Sequence, residues 1–319
     1  MGDYLKLFEK HSEYETYSGG EMLKPNVSYC EDDNEVHYNP YVHDYSQDYL
    51  TFVAKEAGTF TFTPKNNNAI SYSTDNGESW IVGSSVEVNS GDRVLWKGSM
   101  TPSEYEGSGT FSSTANFDAQ GNVMTLLFGD DFKGKVSLTE KGNAFRQLFY
   151  QNAKLVSAEN LSLPATTLAQ GCYNNMFSGC TSLTKAPELP ATTLAIYCYQ
   201  SMFYGCTALT TAPVLPATTL ASQCYYQMFM NCTSLTMAPE LPATTLTSNC
   251  YLGMFSGCTS LNYIKAMFIS DNGDIESYTD GWVSRVAASG TFVKNSAATW
   301  NETGSDGIPR GWTVETASA

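Results

Sequence analysis

The sequence predicts an α+β protein: an N-terminal antiparallel β module, then a repeat solenoid of one strand plus one short helix per copy, then a C-terminal α/β cap. Three observations carry this. The hexapeptide Leu-Pro-Ala-Thr-Thr-Leu begins at Leu163, Leu189, Leu215 and Leu241, a 26-residue period of the kind that marks stacked architectures. Between Tyr49 and Leu127 apolar and polar residues alternate with period two, separated by Asn-Gly and Gly-Asp turns, as half-buried strands do. Within a copy, the constant positions 172, 173, 176, 177 and 180 and the variable positions 171, 174, 175 and 178 fall on opposite arcs at about 100° per residue. The boundaries drawn from these shifts are 1–48, 49–142, 143–261 and 262–319.

Residues 1–48 are set apart by charge. The first fifty residues hold eleven Asp/Glu against three Lys/Arg, about half of the chain's net charge of -15. Few apolar residues gather there, so the segment reads as an attachment element or linker. It also holds all three histidines, His11, His37 and His43, beside Cys30. A Cys30/His37/His43 zinc site is one reading of that grouping, and ordinary surface histidines are the preferred one. No secretory signal is readable in Met1–Tyr17, and Lys6 stands where a myristoylation motif wants Ser or Thr. No apolar run is long enough to span a bilayer.

In residues 49–142, Thr59–Thr63 and Ala69–Ser73 read as strands. Ser73-Thr74-Asp75-Asn76-Gly77-Glu78-Ser79-Trp80 matches the Asp-box of sialidase propellers and other β proteins. Its expected role is structural: Asp75 accepts local N–H bonds, Gly77 takes positive φ, and Trp80 packs beneath.

Each copy in residues 143–261 carries two cysteines, Cys172/Cys180, Cys198/Cys206, Cys224/Cys232 and Cys250/Cys258, and a Met-Phe pair at Met176, Met202, Met228 and Met254. A degenerate copy precedes them, with Leu148-Phe149 in the Met-Phe place. A short helix is predicted over residues 168–178, followed by an extended segment at Leu183–Leu189 whose Pro187 discourages helix. Eight residues of helix separate Cys172 from Cys180 by about 12 Å, too far for a disulfide. Bonds between successive copies stay geometrically open, but free buried thiols are the expectation. Residues 262–319 read as a cap: a strand at Asn262–Phe268, a helix from Thr279 to Val286, and strands at Gly290–Lys294 and Gly311–Glu315.

The segments Cys180-Thr181-Ser182-Leu183, Leu189-Pro190 and Cys198-Tyr199-Gln200-Ser201-Met202-Phe203-Tyr204-Gly205-Cys206 resemble the BspA-type (Treponema-type) leucine-rich repeat. Cys198 and Met202 depart from its pattern, where an aliphatic residue and Ala are usual. The resemblance covers somewhat over a third of the chain and implies a leucine-rich-repeat solenoid, a fold that hosts many functions.

Enzymatic chemistry finds no foothold in the sequence. A sialidase needs an arginine cluster, whereas the four arginines, Arg93, Arg146, Arg285 and Arg310, are scattered. No nucleophile elbow, Walker loop or dinucleotide fingerprint is present. Asp130-Asp131 reads as a solvated turn with no evident partner. No cofactor or metal is expected, and the negative charge disfavours nucleic acid. What stays is binding. Leu23–Pro40 looks like the N-terminal leader of proteins from phages and prophages of gut Bacteroidales. The expected function is therefore a non-enzymatic virion appendage, assembled in the host cytoplasm. Residues 1–48 would contact other virion proteins, and the repeats would contact a host surface protein or glycan. A bacterial cell-surface adhesin is the alternative, and a glycan-processing enzyme a distant third. Positions free of core demand name the expected contact residues: Tyr197, Tyr204, Tyr226 and Met230 on the helix face, and Lys185, Met237 and Tyr263 on the strand side.

Overall fold

The computed structural model describes residues 28–30, 36–38, 43–65, 68–102, 106–269 and 276–317. The chain divides into two units, Met1–Asp44 and Tyr45–Ala319. In the first, β1 (Ser28–Cys30) pairs antiparallel with β2 (Val36–Tyr38), Tyr29 opposite His37. The rest of the predicted attachment element, 1–48, lies largely outside the described residues.

The second unit begins with β3 (Leu50–Ala54), β4 (Gly58–Pro64), β5 (Ile70–Ser73), β6 (Ile81–Val82), β7 (Ser85–Val88), β8 (Arg93–Gly98), β9 (Gly109–Ser113) and β10 (Phe117–Asn122). With β11 (Leu155–Ser162) they form sheets ordered β11-β10-β3-β8-β5-β6 and β7-β4-β9. Alternation turns Leu50, Phe52, Phe60 and Phe62 inward, and the two sheets meet across aromatic rings. Phe52 lies 4.7 Å from Phe111, 4.8 Å from Phe117 and 5.5 Å from Phe60, mostly in tilted or edge-on contacts. Two edges of this module are covered by the degenerate first copy of the repeat. β11 adds to β10 in parallel. On the other sheet the Phe111 N–H donates to Leu148 O at 2.7 Å, and Asn152 Nδ2 donates to Phe111 O at 3.1 Å. Neither of these edges is left as a template for foreign strands.

The helix predicted over residues 168–178 does not form, and the fold class built on it is overturned. The described residues contain two α-helical stretches of four residues each, α1 (Thr125–Phe128) and α2 (Glu276–Thr279). Regular structure is mostly strand, in sheets of six, three and three strands besides the β1–β2 pair. In place of each helix runs a ribbon of linked turns with a four-residue period. Gly171, Asn175 and Gly179 have φ of 60°, 55° and 78°, and the same left-handed positions recur at Tyr197, Ser201, Gly205, then Gln223, Gln227, Asn231, then Asn249, Gly253, Gly257. Local bonds close the turns: Asn174 N–H to Gly171 O at 3.0 Å and Met176 N–H to Tyr173 O at 3.1 Å. The intervening N–H groups cross to the next copy, Tyr173 to Cys198 O at 3.0 Å and Asn175 to Gln200 O at 2.9 Å. A helix would satisfy all of these donors within one copy. Here the division of donors is what ties copy to copy.

In-register pairing aligns the constant side chains into columns. Tyr173, Tyr199, Tyr225 and Tyr251 follow one another at 5.7, 5.9 and 6.0 Å. Phe149, Phe177, Phe203, Phe229 and Phe255 do so at 5.4, 5.4, 5.5 and 5.9 Å, all within 5° of parallel. The Leu-Pro-Ala-Thr-Thr-Leu segment buries its Leu and Ala and keeps most of its threonines exposed. The expected strand at Leu183–Leu189 reduces to single bridges, with Lys185 between Ser157 and Thr211.

The cap is three parallel strands, β12 (Tyr263–Ala266), β13 (Thr291–Asn295) and β14 (Thr313–Ala317). The helix expected from Thr279 to Val286 is absent. α2 ends where it was to begin, and Gly281 and Arg285, at φ 62° and 60°, continue the turn ribbon. Trp282 closes both ring columns, 6.2 Å from Tyr251 and 6.3 Å from Phe255, and its Nε1 donates to Gly307 O at 2.9 Å. Burial of its large ring is thereby compatible with its one polar atom.

Candidate functional site

The ribbon turns Cys, Tyr, Met and Phe inward, and the positions that vary between copies lie between and outside them, some exposed in part and some, such as Asn174, Ser178 and Ser256, buried. Three rungs matter. The first carries Gly171, Tyr197, Gln223 and Asn249, the second Asn174, Gln200, Tyr226 and Leu252, and the third Ser178, Tyr204, Met230 and Ser256. Tyr197, Tyr204, Tyr226 and Met230 are each half-buried there, with Tyr204 accepting a bond from Asn231 Nδ2 at 3.4 Å. The strand-side set lies elsewhere. Lys185 is exposed and ion-paired with Glu159, and Met237, 57% exposed, bridges to Tyr263 in β12.

A groove of about 490 Å³ runs across the degenerate copy and the two that follow, with Pro102 of the β module on its rim. Of the seven expected contact residues only Tyr197 lines it. Around Tyr197 stand Gln200, Asn174, Asn175, Arg146 and Glu140, with Asn143 and Gln170 completing a set of five amides. These amides are positioned by one another: Asn174 Nδ2 donates to Gln200 Oε1 at 3.0 Å across copies, and Asn175 Nδ2 to Asn174 Oδ1 at 2.5 Å. The backbone beneath is held in unusual form, since Glu140, Asn143, Gly171, Asn175 and Tyr197 all have positive φ. The amides were not singled out from sequence. Their signal was available, because Asn174 and Gln200 occupy one rung 26 residues apart.

The β module holds the Asp-box as a hairpin between β5 and β6. Ser73 Oγ donates to Asp75 Oδ1 at 2.6 Å, and the Ser79 N–H donates to the same oxygen at 2.9 Å. The Ser73 and Ser79 hydroxyls and the Ser79 N–H together pull the Asp75 carboxyl down to about 2. Gly77 takes φ 91°, its N–H bonded to Ser73 Oγ at 2.8 Å. Trp80 does not lie beneath the hairpin alone: it packs on Tyr49 at 4.9 Å and under Lys97 Nζ at 4.1 Å. Lys97 in turn bonds Asp130 Oδ1 at 2.8 Å, and Tyr49 Oη donates to it at 2.6 Å. Asp130, expected to lack a partner, thus has two. Its carboxyl is held low, first by Lys97 and then by Tyr49, while burial and Asp130 push the Tyr49 phenol up to about 12.

All eight repeat cysteines are buried and free. One column is also bonded. Cys180, Cys206, Cys232 and Cys258 donate their S–H to the carbonyls of Phe149, Phe177, Phe203 and Phe229 at 3.0, 3.2, 3.1 and 3.0 Å. The side chains of Cys30 and His37 lie outside the described residues, among which no three His, Cys, Asp or Glu converge as metal ligands. No helix of the described residues is long and apolar enough to cross a membrane. No known protein family, curated protein or solved structure matches the chain.

Proposed function

We propose that the protein is a non-enzymatic attachment component of a phage particle: residues 1–48 join it to other virion proteins, and the outer side of the stacked copies binds a host surface protein or glycan. The observation that carries the binding half is the placement of Tyr197, Tyr204, Tyr226 and Met230 on rungs whose backbone is bonded on both sides to neighbouring copies. Large rings on a rigid frame give contact area at little entropic cost. The anchoring half is supported by the leader-like Leu23–Pro40 sequence and the charge imbalance of the first fifty residues.

Adsorption of the purified protein to host cells tests it. Replacing Tyr197, Tyr204 and Tyr226 together by Ser is expected to abolish adsorption while leaving the circular-dichroism melt in place. Removing residues 1–48 is expected to leave adsorption intact and prevent incorporation into particles. Undiminished adsorption of the triple variant, or normal incorporation of the truncated chain, refutes the corresponding half.

A further inference from the structure

We infer that the groove over the first three copies binds a neutral oligosaccharide, with Tyr197 lying against a sugar's C–H face, Asn175 and Gln200 bonding its hydroxyls, and the buried Asn174 holding those two amides in place. The inference rests on the attachment reading and names the ligand class for one part of that surface.

Tyr197 is an unexpected residue at its position. Its rung requires a left-handed backbone, with φ 59° at Tyr197, 60° at Gly171, 55° at Gln223 and 53° at Asn249. Glycine and asparagine accept that conformation readily, whereas a bulky aromatic there is a true outlier. Two of the three sister copies carry the residues that the backbone favours, so folding does not explain the tyrosine. Tyr197 is also the residue on this rung that lines the groove from the third copy.

The lining is rich in side-chain amides. Each amide offers a donor and an acceptor in one plane, the pattern that adjacent sugar hydroxyls, each both donor and acceptor, can meet. The Asn175–Asn174–Gln200 chain of bonds fixes the orientation of three of them before any ligand arrives. Among the described lining residues charge is balanced, one cation at Arg146 against one anion at Glu140, which favours a neutral sugar over an acidic one. Peptide capture relies on an open sheet edge or apolar side-chain pockets, and the described lining residues supply neither. The volume of about 490 Å³ suits a short oligosaccharide rather than a single hydroxylated fragment.

The full chain is applied to an array of neutral hexose and N-acetylhexosamine oligosaccharides, their sialylated and sulfated counterparts, and random peptides. Binding to neutral glycans is expected, weakened about tenfold or more by Tyr197→Gly, which installs the residue of the first full copy, and independently by Gln200→Ala. Tyr197→Gly is expected to melt no lower than the parent, so lost binding cannot be lost folding. Retention only of acidic glycans or only of peptides, or unchanged binding by both variants, overturns the inference. Cell adsorption without neutral-glycan binding sinks this site and leaves the attachment reading standing. Glycan binding without adsorption does the reverse.

Discussion

A cysteine in this chain is chiefly a small apolar group with one weak donor, and both properties can be tested. Burial pushes the thiols of Cys172, Cys180 and Cys258 up from 9.0 to about 12. Such a thiol is held neutral by the fold, so its stabilisation is complete below pH 9 and declines as pH rises toward 12. The slope reaches about 1.4 kcal/mol per pH unit for each thiol that ionises on unfolding. With four cysteine pairs in the core, the urea midpoint is expected to fall steeply above about pH 9. A midpoint unchanged between about pH 8 and 11 contradicts this. A thiol reagent at neutral pH is likewise expected to label the eight repeat cysteines only on unfolding. Burial of these residues was legible from their repeating place beside Met and Phe. Their partners were not: Cys206 bonds the carbonyl of Phe177, 29 residues back, a pairing that only the stacked backbone reveals.

At the scale of the element, the turn ribbon explains why the sequence suggested a helix. Over nine residues a four-residue period and a 3.6-residue period select nearly the same apolar positions, 172, 173, 176, 177 and 180. The information that separates them sits in the variable positions. Gly171, Gly179, Gly205, Gly253 and Gly257, with Asn143, Asn175, Asn231 and Asn249, fall every fourth residue within their copies. These are the residue types most at ease at positive φ and poor in helix interiors. The two readings predict different spectra, and far-UV circular dichroism is expected to lack a strong helical minimum at 222 nm. Substitutions separate them further. Gly253 has φ 62°, and an added Cβ would lie 3.0 Å from Gln227 Cγ, so Gly253→Ala is expected to cost about 1–2 kcal/mol. Ser201→Gly, at φ 52°, is expected to stabilise by up to about 1 kcal/mol by the same term. In a helix both changes would differ in sign or size, since Ala there is favoured over Gly. Urea titration of the two variants decides the matter. The strands of the β module, by contrast, were readable because period-two alternation in Thr59–Thr63 has no competing interpretation.

Across the whole molecule, the phenylalanine column does not stop at the first copy. Phe149 stacks on Phe111 of β9 at 5.9 Å, Phe111 meets Phe52 at 4.7 Å, and the far end is closed by Trp282. One aromatic core therefore passes from the β module through every copy into the cap, although the sequence suggested separate segments. That continuity was illegible because β11, a repeat element by position, is a strand of the module's sheet by pairing. Truncating a ring in mid-column, Phe203→Ala, is expected to cost about 3–5 kcal/mol and to shift melting of module and repeats together. Two separated transitions in calorimetry would show that the core is not shared. Copies that present the same bonds above and below have an effect on inheritance as well. Excising Leu189–Val214 would bring Glu188 to Leu215 and rejoin faces of the same kind, so the loss of one repeat length from the gene leaves a foldable, shorter protein. Identical Leu-Pro-Ala-Thr-Thr-Leu stretches are also where misaligned recombination would make such a change. The reach of the molecule is then a quantity that a lineage can lengthen or shorten in whole steps, without inventing a new surface each time.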